Sequence, residues 1–257
     1  MFVLQLLGRY FLKFISMTGR ISLFTTDIIK HTFQPPFYPR QLMKQFFIIG
    51  YLSLPVVGLT AIFTGMVLAL QSYTGFSRFS AEGAISTVVV LSITRELGPV
   101  LAGLMVAGRI GASIAAEIGT MRVTEQIDAL TTLSTNPMKY LVVPRVLAGL
   151  FMLPCLVLVA DAIGVFGGYL VATYKLNFNS AVYIKQTFTY LELDDVISGL
   201  IKAAAFGFII TLMGCYHGYN SKGGAEGVGS ATTTAVVSSS ILILITNYIL
   251  TALLFGV

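Results

Sequence analysis

The sequence AISTVVVLSITRELGPVLAGLMVAG, residues 84–108, has the length and apolarity of a membrane span but carries two opposite charges, Arg95 and Glu96, near its middle. About 20 apolar residues are enough for a helix to cross the hydrocarbon core of a bilayer. Placing a charge there costs roughly 2.5–3.5 kcal/mol on insertion scales, so such charges usually face a cavity, a partner helix or a substrate pathway. We therefore expect the functional region to surround this pair.

The composition of the whole chain predicts an all-α, polytopic membrane protein. The 257 residues are 56% hydrophobic and 11% charged, with a mean hydropathy of +0.85, whereas soluble proteins average about 45–50% apolar and about 25% charged residues. Five stretches are long enough to span a bilayer: about 47–70, 84–108, 146–173, 196–216 and 234–256. In such a protein the net charge of +5 reports topology and contact with anionic headgroups, not nucleic-acid binding.

The basic residues between the spans predict the orientation of the chain. Only Arg78, Lys175 and Lys185 fall on one side. The other side holds many more: Arg9, Lys13, Arg20, Lys30, Arg40, Lys44, Arg109, Arg122, Lys139, Arg145 and Lys222. Because cytoplasmic loops are enriched in Lys and Arg, the N-terminus is predicted to be cytoplasmic and the C-terminus, after five crossings, to be periplasmic.

Residues 1–40 are predicted to form an interfacial amphipathic helix and a proline-rich connector, followed by a single transmembrane domain over 41–257. Arg9, Lys13 and Arg20 fall within an arc of about 40° on a helix, the pattern of a helix that lies in the membrane interface. A signal peptide is the alternative, but these charges interrupt the apolar run and no small-residue cleavage site follows.

The longest connector predicted on the cytoplasmic side, about residues 112–137, contains acidic and basic residues among apolar ones. Its pattern from Glu117 to Leu130 is typical of a short amphipathic helix running along the membrane surface. This segment is either a solvated connector or the attachment site of a peripheral motor subunit. The charged residues that would serve such a site are Glu117, Arg122, Glu125 and Asp128.

Three long strings carry a resemblance to a known family: TRELGPVLAGLMVAGRIGASIAAEIGTMRVTEQIDAL, then NP with PRVLAG, and GVGSATTTAVVSSSILILITNYILTALLF. Together they resemble the MlaE family over roughly residues 45–257. Proteins of that family are permease subunits of bacterial ABC transporters that move phospholipid between the inner and outer membranes. The resemblance implies a homodimer in the inner membrane, a cytoplasmic ATPase subunit, a STAS-domain accessory protein and a periplasmic MCE-domain hexamer.

No G-x-x-x-x-G-K-[ST] loop, which cradles nucleotide phosphates, occurs in the sequence. The chain is therefore predicted not to be an enzyme and to hold no cofactor, with ATP and Mg bound by the partner ATPase. His31 and His217 have no partners at ligand spacing, so no metal site is predicted.

A lipid headgroup is the predicted ligand of the intramembrane charges. Arg95 and Lys202 lie roughly 16 Å and 9 Å into their spans from the outer side, and with Glu96 they sum to +1, which would attract a phosphodiester. The resemblance implies that Arg95, Glu96 and Lys202 line the lipid pocket. The alternative is a structural pair of Glu96 with Lys202 or Arg95. Four residues of the first span are predicted as further pocket walls: Leu68, Leu70, Gln71 and Tyr73.

Asp161 is a further intramembrane charge, and a hydrogen bond to a neighbouring helix is favoured over a proton relay. Two other functions stay open. One is an ion-coupled secondary transporter or channel that uses Arg95, Glu96 and Asp161. The other is a non-transporting scaffold for a lipid-transfer ring.

Overall fold

The computed structural model describes residues 2–79 and 82–256, which fold into eight helices without a β-strand. The helices are α1 (Phe2–Thr32), α2 (Pro39–Phe76), α3 (Ile85–Val123), α4 (Gln126–Thr132), α5 (Met138–Tyr174), α6 (Ser180–Tyr190), α7 (Leu193–Tyr219) and α8 (Gly224–Phe255). Five of them, α2, α3, α5, α7 and α8, are long and apolar enough to cross a membrane. The predicted all-α, polytopic fold with five spans is therefore confirmed.

The predicted surface helix from Glu117 to Leu130 is divided in two. Helix α3 continues without interruption to Val123, so Glu117 and Arg122 lie on the end of the second span's own helix. The break comes at Glu125, which adopts a left-handed conformation with φ of 60°. Only the short helix α4 follows it. The prediction of one continuous surface helix was wrong. The apolar and charged residues keep their helical spacing through this turn, so the sequence pattern does not reveal the break that one left-handed residue makes.

Helix α1 forms as predicted, and one of its faces packs against the end of α7. The Phe24 ring lies 5.6 Å from the Tyr216 ring and 6.1 Å from the Tyr219 ring, centroid to centroid. Ile28 is buried, whereas Arg9 and Arg20 are exposed. The side chain of Lys13 lies outside the described part of the structure. A location in the membrane interface stays a prediction.

Helix α5 is the centre of the bundle. It packs against α2 on one side and α7 on the other, while α7 also contacts α3 and α8. The crossing of α2 and α5 is close because Gly65 lies directly against the backbone of Gly164, where a Cβ atom would have no room. The helix–helix contact through small residues is the usual way in which membrane helices approach one another.

Helix α6 was not predicted. It begins at an N-cap formed by Asn179, whose side-chain oxygen accepts hydrogen bonds from the backbone N–H groups of Ala181 (3.0 Å) and Val182 (3.3 Å). A hydrogen bond of 2.8 Å between Ser86 and Gln186 joins it to the first turn of α3. The segment between the third and fourth spans therefore packs onto the bundle as an ordered element.

Candidate functional site

Arg95 and Glu96 lie in a π-helical turn, Ile93–Leu97, within α3. Such turns in otherwise α-helical segments occur frequently at functional sites. Pro99 follows four residues after Arg95 and has no N–H group, so the Arg95 carbonyl cannot accept the usual helical hydrogen bond. The helical hydrogen bonding is thus interrupted at the charged pair, and the Arg95 carbonyl oxygen needs a hydrogen-bond donor from elsewhere in the structure.

Both charges pair with α7. Arg95 Nε donates to Asp195 Oδ1 at 2.6 Å, and Lys202 Nζ donates to Glu96 Oε1 at 2.6 Å. Asp195 and Lys202 are seven residues apart, so they lie on the same face of α7 about two helical turns from each other. These four residues are called the charged cluster below.

Lys202 is fully buried, and its ammonium group uses all three of its donors within the protein. Besides Glu96 it donates to Thr251 Oγ1 at 2.8 Å and to the Arg95 carbonyl at 3.0 Å. It therefore supplies the donor that Pro99 lacks. Such a saturated, buried ammonium group acts structurally, by joining α3, α7 and α8.

Glu96 is held from α8 as well. Asn247 Nδ2 donates to Glu96 Oε2 at 2.9 Å, and the Thr251 hydroxyl lies 3.0 Å from Glu96 Oε1. About a third of the Glu96 side chain (36%) remains exposed. The structural pair that the sequence left open is thus between Glu96 and Lys202.

Unlike Lys202, Arg95 is held in place but keeps N–H donors that make no hydrogen bond within the described residues. Its Nε is engaged by the buried Asp195, and its guanidinium carbon lies 4.8 Å from the centre of the Phe255 ring. No hydrogen bond to its two terminal nitrogens occurs within residues 2–79 and 82–256, and 37% of the side chain is exposed. Arg95 is the group of the cluster that can present two adjacent N–H donors to a ligand.

The charge of the cluster differs from the sequence-based expectation. The predicted sum of +1 counted Arg95, Glu96 and Lys202 but omitted Asp195, which brings the cluster to a net charge of zero. Attraction by net charge was therefore the wrong argument. A phosphate would instead be recognised by the directed donors of Arg95, whose Nε is already neutralised by Asp195.

The predicted pocket walls on α2 include residues that pack against the start of α3 and the segment before α6. Leu68 and Tyr73 pack with the buried Ile85 and Val89, and the Tyr73 ring lies 5.9 Å from the Phe178 ring. Leu70 is half-buried and Gln71 is exposed. No hydrogen bond in the described ranges joins these four residues to the charged cluster.

The four predicted coupling residues lie at the opposite end of α3. Glu117 is 22 residues after Arg95, or roughly 33 Å along a helix. It pairs with the buried Arg145 at 2.8 Å, and Arg122 pairs with Asp128 at 2.8 Å. Glu125 occupies the left-handed turn between α3 and α4. Glu117 therefore helps to anchor α5, whereas Arg122, Glu125 and Asp128 form an exposed group.

Sequence analysis missed four members of the site: Asp195, Asn247, Thr251 and Phe255. Asp195 could have been found, because an acidic residue seven positions before an intramembrane lysine lies on the same helical face. The three residues of α8 gave no comparable signal, since polar and aromatic side chains near a span end usually serve packing or interfacial contacts.

A glycine sets the distance between α3 and α7 at this site, which leads to a first prediction. A Cβ atom on Gly199 would collide with the Thr94 carbonyl oxygen. Gly199→Ala is expected to separate the helices and lower stability by about 1–3 kcal/mol, the usual cost of overpacking. Thermal unfolding followed by far-UV circular dichroism in detergent measures this effect.

Gly229→Ala is the matched control, because Gly229 also lies within a helix but, apart from its chain neighbours and the backbone of its own helix, no atom of the described residues lies within 4 Å of the place that its Cβ would take. It is expected to leave the unfolding temperature unchanged or to raise it, since alanine favours a helix over glycine by up to about 1 kcal/mol. Equal unfolding temperatures of the two variants would show that Gly199 does not control this crossing.

Comparison with known proteins shows similarity to permeases along nearly the whole chain. The family model described as Permease MlaE matches residues 42–253. A probable ABC transporter permease protein of Rickettsia typhi is 64% identical over 255 residues, covering 99% of this chain and 98% of that protein. One from Synechocystis is 42% identical, covering 90% and 88%. The Haemophilus influenzae intermembrane phospholipid transport system permease protein MlaE is 38% identical over 220 residues, covering 84% and 83%.

Proposed function

The chain belongs to the MlaE permease family, and we propose that the ABC transporter of which it is a permease moves phospholipid between the inner and outer membranes of a bacterium. The observation that carries this proposal is Arg95, held by Asp195 and Phe255 inside a membrane-spanning helix with its terminal nitrogens unpaired among the described residues. The similarity to a protein named as a phospholipid transport permease supports the same substrate class.

Within this proposal the residues of the charged cluster have different roles. Arg95 binds the lipid phosphate through its two terminal nitrogens, a geometry that matches two phosphate oxygens. Asp195 and Lys202 are positioning residues: Asp195 orients the guanidinium group, and Lys202 fixes Glu96 and the π-helical turn. The acyl chains lie along apolar helix surfaces.

A second copy of the chain would complete the cavity that holds the lipid. Large apolar side chains are exposed on α2 and α8, including Phe63, Val67, Tyr248 and Leu253. We propose that two copies form a homodimer across these faces and enclose a cavity open toward the periplasm. Leu68, Leu70, Gln71 and Tyr73 of α2 would then contribute apolar and polar walls to it.

The cytoplasmic end would receive the driving force. A permease of an ABC transporter works with an ATPase subunit, and this sequence has no phosphate-binding loop of the G-x-x-x-x-G-K-[ST] type. We propose that ATP and Mg are bound by that partner and that it docks on the group formed by Arg122, Glu125 and Asp128. A STAS-domain protein on the ATPase and an MCE-domain hexamer on the periplasmic side complete the proposed complex in the inner membrane.

The docking proposal predicts the result of a charge swap. The double variant Arg122→Asp with Asp128→Arg keeps the internal ion pair but reverses the charge at each position. We expect its affinity for the ATPase subunit to fall at least about tenfold, which corresponds to about 1.4 kcal/mol, while its unfolding temperature is unchanged because both side chains are partly exposed. Binding of the purified ATPase to the permease in nanodiscs gives the measurement.

Lys175→Glu is the control for that experiment, because Lys175 follows the C-terminal end of α5 and is not part of the proposed docking surface. It should bind the ATPase as the unmodified chain does. Wild-type affinity of the charge-swapped permease would remove the assignment of the docking surface without affecting the proposed substrate.

The substrate proposal is tested by reconstitution of the permease with its ATPase in proteoliposomes. We expect transfer of a fluorescent phospholipid that requires ATP hydrolysis. Transfer that proceeds without nucleotide but follows an imposed ion gradient would instead establish an ion-coupled transporter and contradict the proposal.

A further inference from the structure

A cavity with a volume of about 590 Å³ lies between the first half of α3, α5 and α6. Volumes of roughly 300–1,000 Å³ are typical of sites for small organic ligands. Its walls are mostly apolar and aromatic, and they include Phe166, Tyr169, Tyr183 and Phe188. None of the side chains of the charged cluster lines it.

Asp161 of α5 lines this cavity and has no partner among the residues that the structure describes. The residue is only 8% exposed, and its carboxyl group makes no hydrogen bond or ion pair with any described residue. Neither lysine nor arginine is found among the lining residues of the described structure. A buried carboxyl group without compensation is unfavourable, and intramembrane acidic residues commonly serve binding or transport.

The threonine hydroxyl groups in the cavity wall do not satisfy Asp161. The hydroxyl groups of Thr94 and Thr187 donate to carbonyls of their own helices, Val90 at 2.8 Å and Tyr183 at 2.9 Å. The cations of the neighbouring charged cluster are already paired with Asp195 and Glu96. The described residues therefore supply no positive charge to Asp161, and a bound cation would provide one.

The phenol of Tyr183 is a second buried polar group in this cavity without a partner. Tyr183 is only 4% exposed, and its hydroxyl forms no hydrogen bond within the described residues. Burial raises the pKa of Tyr183 to about 12, so the phenol stays neutral and can donate a hydrogen bond. Phe166 and Phe188, in contrast, are 53% and 74% exposed and stand at the opening.

We propose that this cavity binds a substituted ammonium group carried on an apolar chain, with Asp161 as its counter-charge. Aromatic rings attract ammonium ions through their faces, by about 2 kcal/mol or more where water is excluded, and the same walls accommodate the chain. The ligand is either the ammonium-bearing headgroup region of a membrane lipid or a free amphiphilic amine. This site is independent of the phosphate contact proposed for Arg95.

Dodecylamine is a suitable probe, and dodecanol is its uncharged counterpart of equal chain length. Isothermal titration calorimetry with the full chain in a neutral maltoside detergent is expected to show saturable binding of dodecylamine and at least about tenfold weaker binding of dodecanol. Equal affinities of the two probes would overturn the proposal, because the cavity would then be a purely apolar groove of the kind that a partner helix covers.

The variant Asp161→Asn is expected to reduce dodecylamine affinity at least about tenfold. Asparagine has nearly the same shape and carries no charge, so the variant is expected to unfold at the same temperature as the unmodified chain or a higher one. Asp194→Asn is the matched control, because Asp194 is exposed and does not line the cavity, and it should bind dodecylamine normally. Unchanged affinity of a folded Asp161→Asn variant would refute the assignment.

The source of the ammonium group is distinguished in nanodiscs. Competition against dodecylamine by phosphatidylethanolamine, but not by phosphatidylglycerol, identifies a lipid headgroup as the occupant. Retention of dodecylamine binding in both lipids identifies a free amine. Equal competition by both lipids contradicts recognition of the ammonium group and overturns the proposal.

Discussion

Replacing Lys202 with methionine is expected to destabilise the protein by about 3 kcal/mol or more and to abolish transport. Removal of one partner from a buried ion pair costs about 3–5 kcal/mol because the remaining charge is left without compensation. We expect the lower end of that range, since 36% of the Glu96 side chain is exposed. The Arg95 carbonyl, for which Pro99 offers no N–H group, would also lose its bond to Lys202.

Thermal unfolding by far-UV circular dichroism and ATP-dependent lipid transfer are the two measurements. The double variant Glu96→Gln with Lys202→Met provides the control, because it removes both charges of this pair and leaves neither partner unpaired. It should recover most of the lost stability, giving a coupling energy well above the roughly 0.5 kcal/mol expected for independent sites. Additive effects of the two substitutions would mean that the pair does not join the helices as described.

The number of membrane spans and the all-α class were predictable because they follow from apolar length, a property of local sequence. The limits of the helices were not, because a helix can continue from its apolar stretch into more polar sequence, as α3 does to Val123. Likewise, that helix ends because Glu125 adopts a left-handed conformation, which the helical periodicity of the sequence does not reveal. Local turn geometry therefore caused the error at the predicted surface helix.

The residues of the candidate site were predicted only where a residue is unusual for its surroundings. Arg95, Glu96 and Lys202 stand out in apolar sequence, whereas Asp195 comes at the start of α7, where acidic residues are ordinary. The pairing of Arg95 with Asp195 joins residues that are 100 positions apart. Tertiary packing selects such a partner, so composition and spacing gave the wrong net charge for the cluster.

The surroundings of Asp161 also differ from what its sequence context predicted. Its sequence context favoured a hydrogen bond to a neighbouring helix, which is the usual way to accommodate a polar residue in a span. The fold instead places it in a cavity wall, without such a bond among the described residues. Whether a polar residue is satisfied depends on all its neighbours in space, and these cannot be read from one helix.

The substitution Arg95→Lys provides the second large effect, and here we expect loss of function without loss of stability. Substitution with lysine keeps a positive charge but removes the planar pair of donors that a phosphate can engage. Hydrogen bonds to charged groups contribute about 1.5–3 kcal/mol, so Arg95→Lys should weaken lipid binding by about tenfold to a hundredfold. Arg95→Ala should do so at least as strongly and also leave the buried Asp195 unpaired.

The comparison of Arg95→Lys with Asp195→Asn separates binding from positioning. Asparagine can still accept the hydrogen bond from Arg95 Nε, but the guanidinium charge loses its neutralising partner, so phosphate affinity should be retained or increased while the unfolding temperature falls. Native mass spectrometry of the purified complex, with bound phospholipid counted for each variant, provides the measurement. If Arg95→Lys retains as much lipid as the unmodified chain, recognition depends on charge alone and the two-donor geometry at Arg95 is not the binding element. If Asp195→Asn and Arg95→Lys lose lipid equally without a change in unfolding temperature, Asp195 contacts the ligand itself and the division of roles proposed for the cluster is wrong.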